Sequence, residues 1–280
     1  MKRKFRKIKF SWKMFVVYIT VGLIMIFFLF PIVWVALNSF KSSAQIVKMP
    51  PLLVFSPTLS QYQELFEKTI FPRNFLNSLL IATTASLISV VIGTFGAYGL
   101  ARFNFKAKKN VTFWILSTRM APPFAFLLPY YMLMRDLHLL DTRFSLILSY
   151  QVFNLAFVTW MMKGFFHEVP KEIDESARID GCSPIGSFFK VNLPLVLPGL
   201  IATFIFSFIM SWNEFLFAYV MVSEEAQTIP PAIATYVGYG GIEWGKMATA
   251  GIIAAVPMFL FSLMIQKHIV RGLTAGAVKR

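Results

Sequence analysis

Cysteine, histidine and acidic residues are all scarce in this chain of 280 residues. Its single cysteine, Cys182, excludes an intramolecular disulfide, so no redox framework can hold the fold together. The three histidines, His138, His167 and His268, are too far apart in the sequence to give a spacing typical of a metal site. Aspartate and glutamate number 13, against 27 lysines and arginines. These shortages argue against a disulfide-stabilised secreted domain and against a metal centre.

Motifs for catalysis are also missing. The sequence contains no H-E-x-x-H zinc motif and no G-x-S-x-G nucleophile motif. Residues 240 to 247 nearly match the phosphate-binding pattern G-x4-G-K-[ST], but Met247 stands where a serine or threonine would ligate magnesium. The chain is therefore predicted to be no enzyme, with no catalytic residue, no metal and no cofactor of its own.

Hydrophobic residues, in contrast, make up 57% of the chain, and they are clustered into long runs. Each run is about as long as the roughly 20 residues that a helix needs to cross a bilayer. Because unpaired backbone groups are too costly in lipid, helices are the expected way to cross. The predicted fold is all-α, a polytopic membrane protein with six transmembrane helices. The six runs lie at residues 14 to 37, 75 to 100, 111 to 134, 144 to 162, 199 to 222 and 248 to 266.

The basic residues are distributed as membrane topology predicts. Lysines and arginines concentrate before residue 14, between residues 102 and 109, and after residue 270. By the positive-inside rule, these segments and both termini face the cytoplasm. The predicted domains are a basic cytoplasmic N-terminus at residues 1 to 13, a transmembrane domain at residues 14 to 268 and a cytoplasmic tail at residues 269 to 280.

The basic N-terminus is typical neither of a nucleic-acid-binding segment nor of a signal peptide. A nucleic-acid-binding segment would interleave stacking aromatics with the cations, and among the first ten residues only Phe5 and Phe10 are aromatic. A signal peptide would have a shorter apolar core and a small-x-small cleavage site. The first run is therefore predicted to be an uncleaved membrane span.

A charged stretch with glycine and proline interrupts the apolar runs at residues 172 to 198, within a predicted cytoplasmic loop at residues 164 to 198. Its spacing matches E-A-A-x3-G-x9-I-x-L-P, with serine replacing the first alanine and Val191 replacing isoleucine. This spacing resembles the signature loop of the permease subunits of binding-protein-dependent ABC importers, which contacts a separate ATPase. The resemblance assigns ATPase coupling to Glu175, Ser176, Ala177, Asp180, Gly181, Leu193 and Pro194.

The same stretch has a physical interpretation as two short helices. Residues 171 to 179 are competent for a helix that places Ile173, Ala177 and Asp180 on one side. Gly181 can take the positive φ angle that turns the chain. Ser183 and the proline after it form a predicted N-cap and first residue of a second helix reaching residue 191. The alternative is an inert polar connector.

The prolines after this second helix suggest how the loop ends. Pro194 and Pro198 are expected to break the chain before the fifth span.

Further segments narrow the resemblance. Residues 74 to 78, 117 to 120, 212 to 215 and 270 to 279 are similar to the maltose-type carbohydrate importers, the last to the shorter of that family's two permeases. The resemblance implies alternating-access import of a sugar or sugar derivative across a bacterial inner membrane. The implied partners are a second, different permease, a homodimeric ATP-binding subunit that carries ATP and magnesium, and an extracytoplasmic solute-binding protein. An ABC permease for an amino acid or peptide, or a membrane enzyme, is the alternative.

Polar residues inside the apolar runs are candidates for the substrate pathway. Charged groups in a bilayer are costly unless they face a cavity or a partner, which singles out Arg119 and Glu214. Pro122 and Pro123 are expected to break the third helix beside Arg119. The alternative is that these groups only make hydrogen bonds between helices. The full candidate set is Arg119, Gln151, Asn154, Trp212, Asn213 and Glu214.

Overall fold

The structure, a computed structural model, describes residues 12 to 238 and 241 to 277, with side chains described up to residue 264. The described residues are mainly helical, so the all-α prediction is confirmed. Most of the basic N-terminal segment lies outside the described residues. The helices are α1 Trp12–Ser39, α2 Ser43–Ile46, α3 Ser60–Glu67, α4 Phe71–Arg102, α5 Lys108–Met120, α6 Pro123–Asp136, α7 Arg143–Glu168, α8 Lys171–Ile179, α9 Pro184–Ser187, a π-helical turn Phe188–Asn192, α10 Leu193–Trp212, α11 Leu216–Met221, α12 Ile229–Ala234 and α13 Trp244–Ala277, with a two-stranded hairpin of β1 Val237–Gly238 and β2 Gly241–Ile242.

Five of the described helices are long and apolar enough to cross a membrane. They are α1, α4, α7, the continuous segment formed by α9, the π-helical turn and α10, and α13. Helices α5 and α6 form a sixth candidate, because as a pair they are also long and apolar enough, although they are bent by 94°. The count of six spans is reached when this bent pair is taken as one span.

The bend in the third span follows from its two prolines. Helix α5 ends at Met120, and Ala121 and Pro122 are extended, with ψ angles of 132° and 135°. A residue that precedes proline is pushed out of the helical region, so Pro122 and Pro123 in succession stop the helix. Pro123 then occupies the first turn of α6, where its missing N–H needs no partner. The predicted break is confirmed.

The fifth span differs from its prediction at both ends. Pro194 and Pro198 do not break the chain, because Pro194 lies in the first turn of α10 and Pro198 inside it. A first-turn proline costs a helix little, and the packing of α10 against α4 and α7 maintains the helix past Pro198. The helix ends at Trp212, and residues 216 to 221 form the separate helix α11. The run predicted at residues 199 to 222 was therefore wrong in its limits.

The chain divides into two compact units. The first contains the residues up to 68 together with residues 238 to 253, and so holds α1, α2, α3 and the start of α13. The second contains residues 69 to 237 and those after 253. In the second unit α4 packs along α7, and α10 packs against both. Gly93 permits this close approach, because a Cβ there would lie 2.7 Å from Cγ1 of Val158.

Candidate coupling site

The predicted signature loop folds as two short helices joined by a glycine turn. Helix α7 ends at Glu168, two residues before a proline, and α8 covers Lys171–Ile179. Gly181 has a φ angle of +85°, a conformation that glycine adopts without strain. Ser183 caps α9 by accepting a hydrogen bond from the backbone N–H of Gly186 at 3.1 Å. The first helix, the turn and the cap are confirmed.

The second helix is shorter than predicted and changes type. Helix α9 ends at Ser187, and the chain continues through the π-helical turn Phe188–Asn192 directly into α10. A π-helical turn adds one residue per turn, and such turns are frequent at functional sites. This one turns the side chain of Asn192 into the protein, where it is fully buried.

One face of the loop is exposed. Glu175, Ser176 and Asp180 are exposed in this chain, and so is Ile179 at 86%. Ile185 of α9 is 70% exposed. Exposed apolar side chains that are rimmed by polar residues are typical of a protein contact. We call these five residues the outer face of the loop.

The opposite face of α8 is buried, and its composition differs from the prediction. It contains Asp174 and Ala177, both 7% exposed. Asp180 was predicted to share a face with Ala177, but it is exposed at the C-terminal end of α8. The buried face is instead set by the three-residue spacing from Asp174 to Ala177. Of the remaining predicted coupling residues, Leu193 is half-buried and Pro194 is exposed.

Asp174, which sequence reasoning missed, is the centre of a buried polar network. Its Oδ1 accepts hydrogen bonds from the hydroxyl of Tyr98 at 3.1 Å, from Oγ of Ser187 at 2.7 Å and from Nδ2 of Asn192 at 2.6 Å. Its Oδ2 lies 2.5 Å from Nε of Arg102, and the side chains of this ion pair are 9% and 5% exposed. One carboxylate therefore connects α8 to α4, α9 and the π-helical turn.

Arg102, the last residue of α4, extends the network. Its guanidinium donates to the carbonyl oxygen of Val169 at 3.0 Å and to Oδ1 of Asn192 at 3.1 Å. Val169 lies in the short turn between α7 and α8, so the guanidinium also holds the entry to the loop. Further hydrogen bonds stabilise this buried ion pair through Oδ1 of Asp174 and Nη2 of Arg102, whereas Oδ2 and Nε contact only each other.

The charge state of Asp174 follows from these contacts. Burial alone would raise the pKa of its carboxyl group. Hydrogen bonds from Ser187, Asn192 and Tyr98, with the positive charge of Arg102, outweigh burial and lower that pKa below its usual value. Asp174 is therefore ionised at neutral pH, and the network is a charged one.

Aromatic packing supports the network from the membrane side. Phe188, 3% exposed, contacts the rings of Phe95 and Tyr98 at centroid distances of 4.9 and 5.0 Å. Phe166 of α7 lies 5.4 Å from Tyr98. The polar network and the aromatic cluster thus meet at Tyr98, and together they attach the loop to α4 and α7.

Arg119 is the predicted pathway residue that borders a cavity. It lies at the end of α5, beside the break in the third span, and its side chain is exposed in this chain. Its guanidinium lies over the rings of Phe157 and Trp160, at 5.2 and 5.7 Å from their centroids. The cavity has a volume of about 170 Å³ and also contacts Thr118 and Phe126.

Gln151 and Asn154 make hydrogen bonds between helices instead. Oε1 of Gln151 accepts from the hydroxyl of Ser89 at 2.6 Å, and its Nε2 donates to the carbonyl oxygen of Ala85 at 3.1 Å. Nδ2 of Asn154 donates to the hydroxyl of Ser211 at 2.7 Å. These bonds join α7 to α4 and to α10.

The three residues at the end of α10 also make bonds within the protein. Trp212 donates to the carbonyl oxygen of Ala254 at 3.2 Å, and Asn213 donates to that of Ile209 at 2.8 Å. The carboxylate of Glu214 accepts from the backbone N–H groups of Phe217 and the residue after it, which caps α11. The structure therefore does not bring the six candidates together around one cavity.

Comparisons with known proteins identify the family. Residues 89 to 275 match the family described as the inner membrane component of binding-protein-dependent transport systems. A sulfoquinovosyl glycerol transport system permease protein of Agrobacterium fabrum is 32% identical to this chain, and the alignment covers 94% of this chain and 93% of that protein. A trehalose/maltose transport system permease protein of Thermococcus litoralis is 33% identical, covering 90% and 91%. A chain of a bacterial ABC transporter involved in alginate import shares the fold, with a TM-score of 0.77 and 21% identity over 93% of this chain and 99% of its own.

Proposed function

The chain belongs to the family of inner membrane components of binding-protein-dependent transport systems, and we propose that it imports a sugar or a sugar derivative. It is a multi-pass membrane protein and the permease subunit of an ABC importer, a transport subunit and not an enzyme. The cargo proposal is supported by relatives that are named for trehalose, maltose and sulfoquinovosyl glycerol. These relatives are similar to this chain over nearly their whole length.

The complete importer contains further subunits in this proposal. A solute-binding protein delivers cargo from outside, and a second, different permease completes the pathway through the membrane. A homodimeric ATPase carries the ATP and magnesium, since the near-match at residues 240 to 247 lacks the residue that ligates magnesium. The basic segments support placing both termini on the cytoplasmic side of a bacterial inner membrane.

One arrangement carries the coupling proposal: α8 has an outer face for a partner and an inner face fastened to the membrane helices. When ATP closes the ATPase dimer, a subunit held against Glu175 and Ile179 would displace α8. The ion pair of Asp174 with Arg102 would pass that displacement to α4, which packs along α7 and α10. Alternating access then follows from a shift of packed helices that have two arrangements.

Charge reversal at the outer face tests the coupling proposal. We expect Glu175→Lys to weaken association with the ATPase about tenfold or more, because placing like charges together at an interface costs several kcal/mol. Association is measured by copurification, and coupling by ATP hydrolysis stimulated by loaded binding protein. Glu67→Lys is the matched control, since Glu67 is an exposed acid at the end of α3.

A second variant probes the shape of the same surface. No atom lies within 4 Å of where a Cβ at Gly181 would stand, so Gly181→Trp crowds the incoming ATPase and not the chain itself. Its positive φ angle adds a local cost of about 1–2 kcal/mol. If both Glu175→Lys and Gly181→Trp retain normal ATPase association and transport, the coupling proposal is wrong.

The cargo proposal is tested separately, with the complete importer in proteoliposomes. We expect ATP-dependent uptake of at least one member of a panel of disaccharides, polyols and glycosides. Thermal shift of the cognate binding protein selects the panel, because a bound ligand stabilises the folded state. Uptake confined to amino acids or peptides would contradict the sugar proposal and leave the coupling proposal standing.

A further inference from the structure

The first unit contains a large pocket that the transport proposal does not use. Its volume is about 580 Å³, within the range of small-molecule sites. It opens between the end of α1, residues 46 to 51 and the start of α13. Trp34 and Trp244 line it from the two long helices, and two cations, Lys41 and Lys48, also line it.

Lys41 gives the pocket a buried positive charge. Its residue surface is 2% exposed, and its ammonium donates to Oδ1 of Asn38 at 3.0 Å. The rings of Trp34 and Phe55 lie 4.9 and 5.0 Å away, which partly stabilises the charge. Among the described residues no carboxylate lies within ion-pair distance of Lys41. An ammonium has three N–H donors, so a buried cation with one hydrogen bond can still take an anion.

The position of the pocket indicates a membrane interface. Helices α1 and α13 are both candidate spans, and the pocket lies where α1 ends and α13 begins. Tryptophans concentrate at the level of lipid headgroups, where their amphipathic rings are most stable. A lysine beside them can donate a charge-assisted hydrogen bond to the phosphate of a lipid headgroup. Lys48, exposed at the rim, adds a second cation to the buried one.

A second cavity on α1 suits the rest of a lipid. It has a volume of about 430 Å³ and is formed by apolar residues and one proline. Phe27, Phe30, Trp34 and Asn38 follow one another at three- and four-residue spacing, so both cavities lie on one stripe of the helix. Phe30 stacks on Trp34 with ring centroids 5.9 Å apart. The groove is lined by Leu23, Ile26, Phe27, Phe28, Phe30 and Pro31.

The separation of the two cavities fits the length of a lipid. Eleven residues of helix separate Phe27 from Asn38, which is about 16 Å along the axis. One leaflet is about half of the roughly 30 Å hydrocarbon core. A headgroup in the pocket would therefore place its acyl chain along the groove. We propose that this pocket binds the phosphate of an anionic phospholipid, with Lys41 as the buried cation and the α1 groove holding an acyl chain.

Photocrosslinking tests this proposal without any transport measurement, so its outcome is independent of the proposed cargo and coupling. The assembled importer is reconstituted in nanodiscs that contain photoreactive phosphatidylglycerol, and labelled peptides are mapped. We expect label between residues 34 and 51. Lys41→Gln should lower it about fivefold, which corresponds to about 1 kcal/mol per basic residue at an anionic lipid surface. Lys41→Arg should retain the label, as should Lys68→Gln, which alters an exposed lysine of the same unit.

Three results would overturn the proposal. In the first, Lys41→Gln is labelled as strongly as the unaltered chain. In the second, photoreactive phosphatidylcholine labels the unaltered chain equally well, a comparison that holds even if Lys41→Gln fails to assemble. In the third, glycerol phosphate in solution displaces the label, which would make the ligand a small phosphate and not a lipid. Ile26→Trp, which fills the groove, should lower labelling by the lipid.

Discussion

Arg102→Leu is expected to uncouple ATP hydrolysis from transport, with at least a tenfold loss of transport per ATP hydrolysed. The substitution removes the partner of Asp174 and leaves a carboxylate buried among α4, α8 and the π-helical turn. Breaking a buried ion pair in this way costs about 3–5 kcal/mol. Helix α8 would then detach from α4 while its outer face still meets the ATPase. Parallel assays of ATP hydrolysis and solute uptake in proteoliposomes measure the ratio.

Arg135→Leu is the matched control for this prediction. Arg135 also pairs with an aspartate, Asp136, but the two side chains are 54% and 64% exposed. Exposed pairs contribute about 0–1 kcal/mol, so this variant should transport normally. If Arg102→Leu keeps the coupling ratio of the control, the network does not transmit motion.

A double variant separates transmission from folding. Arg102→Leu with Asp174→Leu removes both charges, and replacing a buried pair by apolar residues is often neutral for stability. We expect the double variant to associate with the ATPase and to recover only part of the thermal stability that Arg102→Leu loses, because buried donors left without an acceptor are destabilising. Transport should remain low, because the hydrogen bonds from Tyr98, Ser187 and Asn192 have lost their acceptor.

Rules that involve only neighbouring residues predicted the break in the third span and much of the coupling loop. Pro122 and Pro123 stop a helix wherever they occur in tandem, so the break in the third span could be predicted from sequence. The same holds for the positive φ angle of Gly181 and the cap at Ser183, which depend on neighbours within three residues. These predictions rest on backbone sterics and local hydrogen bonds.

The polar network could not be predicted in this way, because its members are distant in sequence. Asp174 is one of three acids within residues 172 to 175, and only tertiary packing distinguishes the buried one. Arg102 lies 72 positions earlier in the chain, where its positive charge indicated only which side of the membrane the segment faces. Gln151 and Asn154 show the converse, since polar groups in a span suggested a pathway but form hydrogen bonds to neighbouring helices. The sequence did contain a signal for the buried face of α8. The three-residue spacing from Asp174 to Ala177 places both side chains on the same side of a helix.

Gly93→Leu is expected to separate α4 from α7 and to destabilise the second unit. A Cβ at this position would lie 2.7 Å from Cγ1 of Val158 and 3.2 Å from the backbone nitrogen of Thr159. A side chain can rotate away, but the backbone of α7 cannot move without disturbing the helices packed on it. Overpacking costs up to about 3 kcal/mol, which would lower the melting temperature by about 6–12 °C. Thermal unfolding of the purified chain followed by size-exclusion chromatography measures the shift.

Gly99→Leu in the same helix distinguishes crowding from the intrinsic effect of the substitution. No atom lies within 4 Å of a Cβ at Gly99, whereas leucine is a better helix former than glycine at either position. Gly99→Leu should therefore match or exceed the stability of the unaltered chain. Equal melting temperatures for Gly93→Leu and Gly99→Leu would mean that α4 and α7 are not in close contact at Gly93. Close packing there is what would let a displacement of α4, received through Arg102, reach α7 along its length.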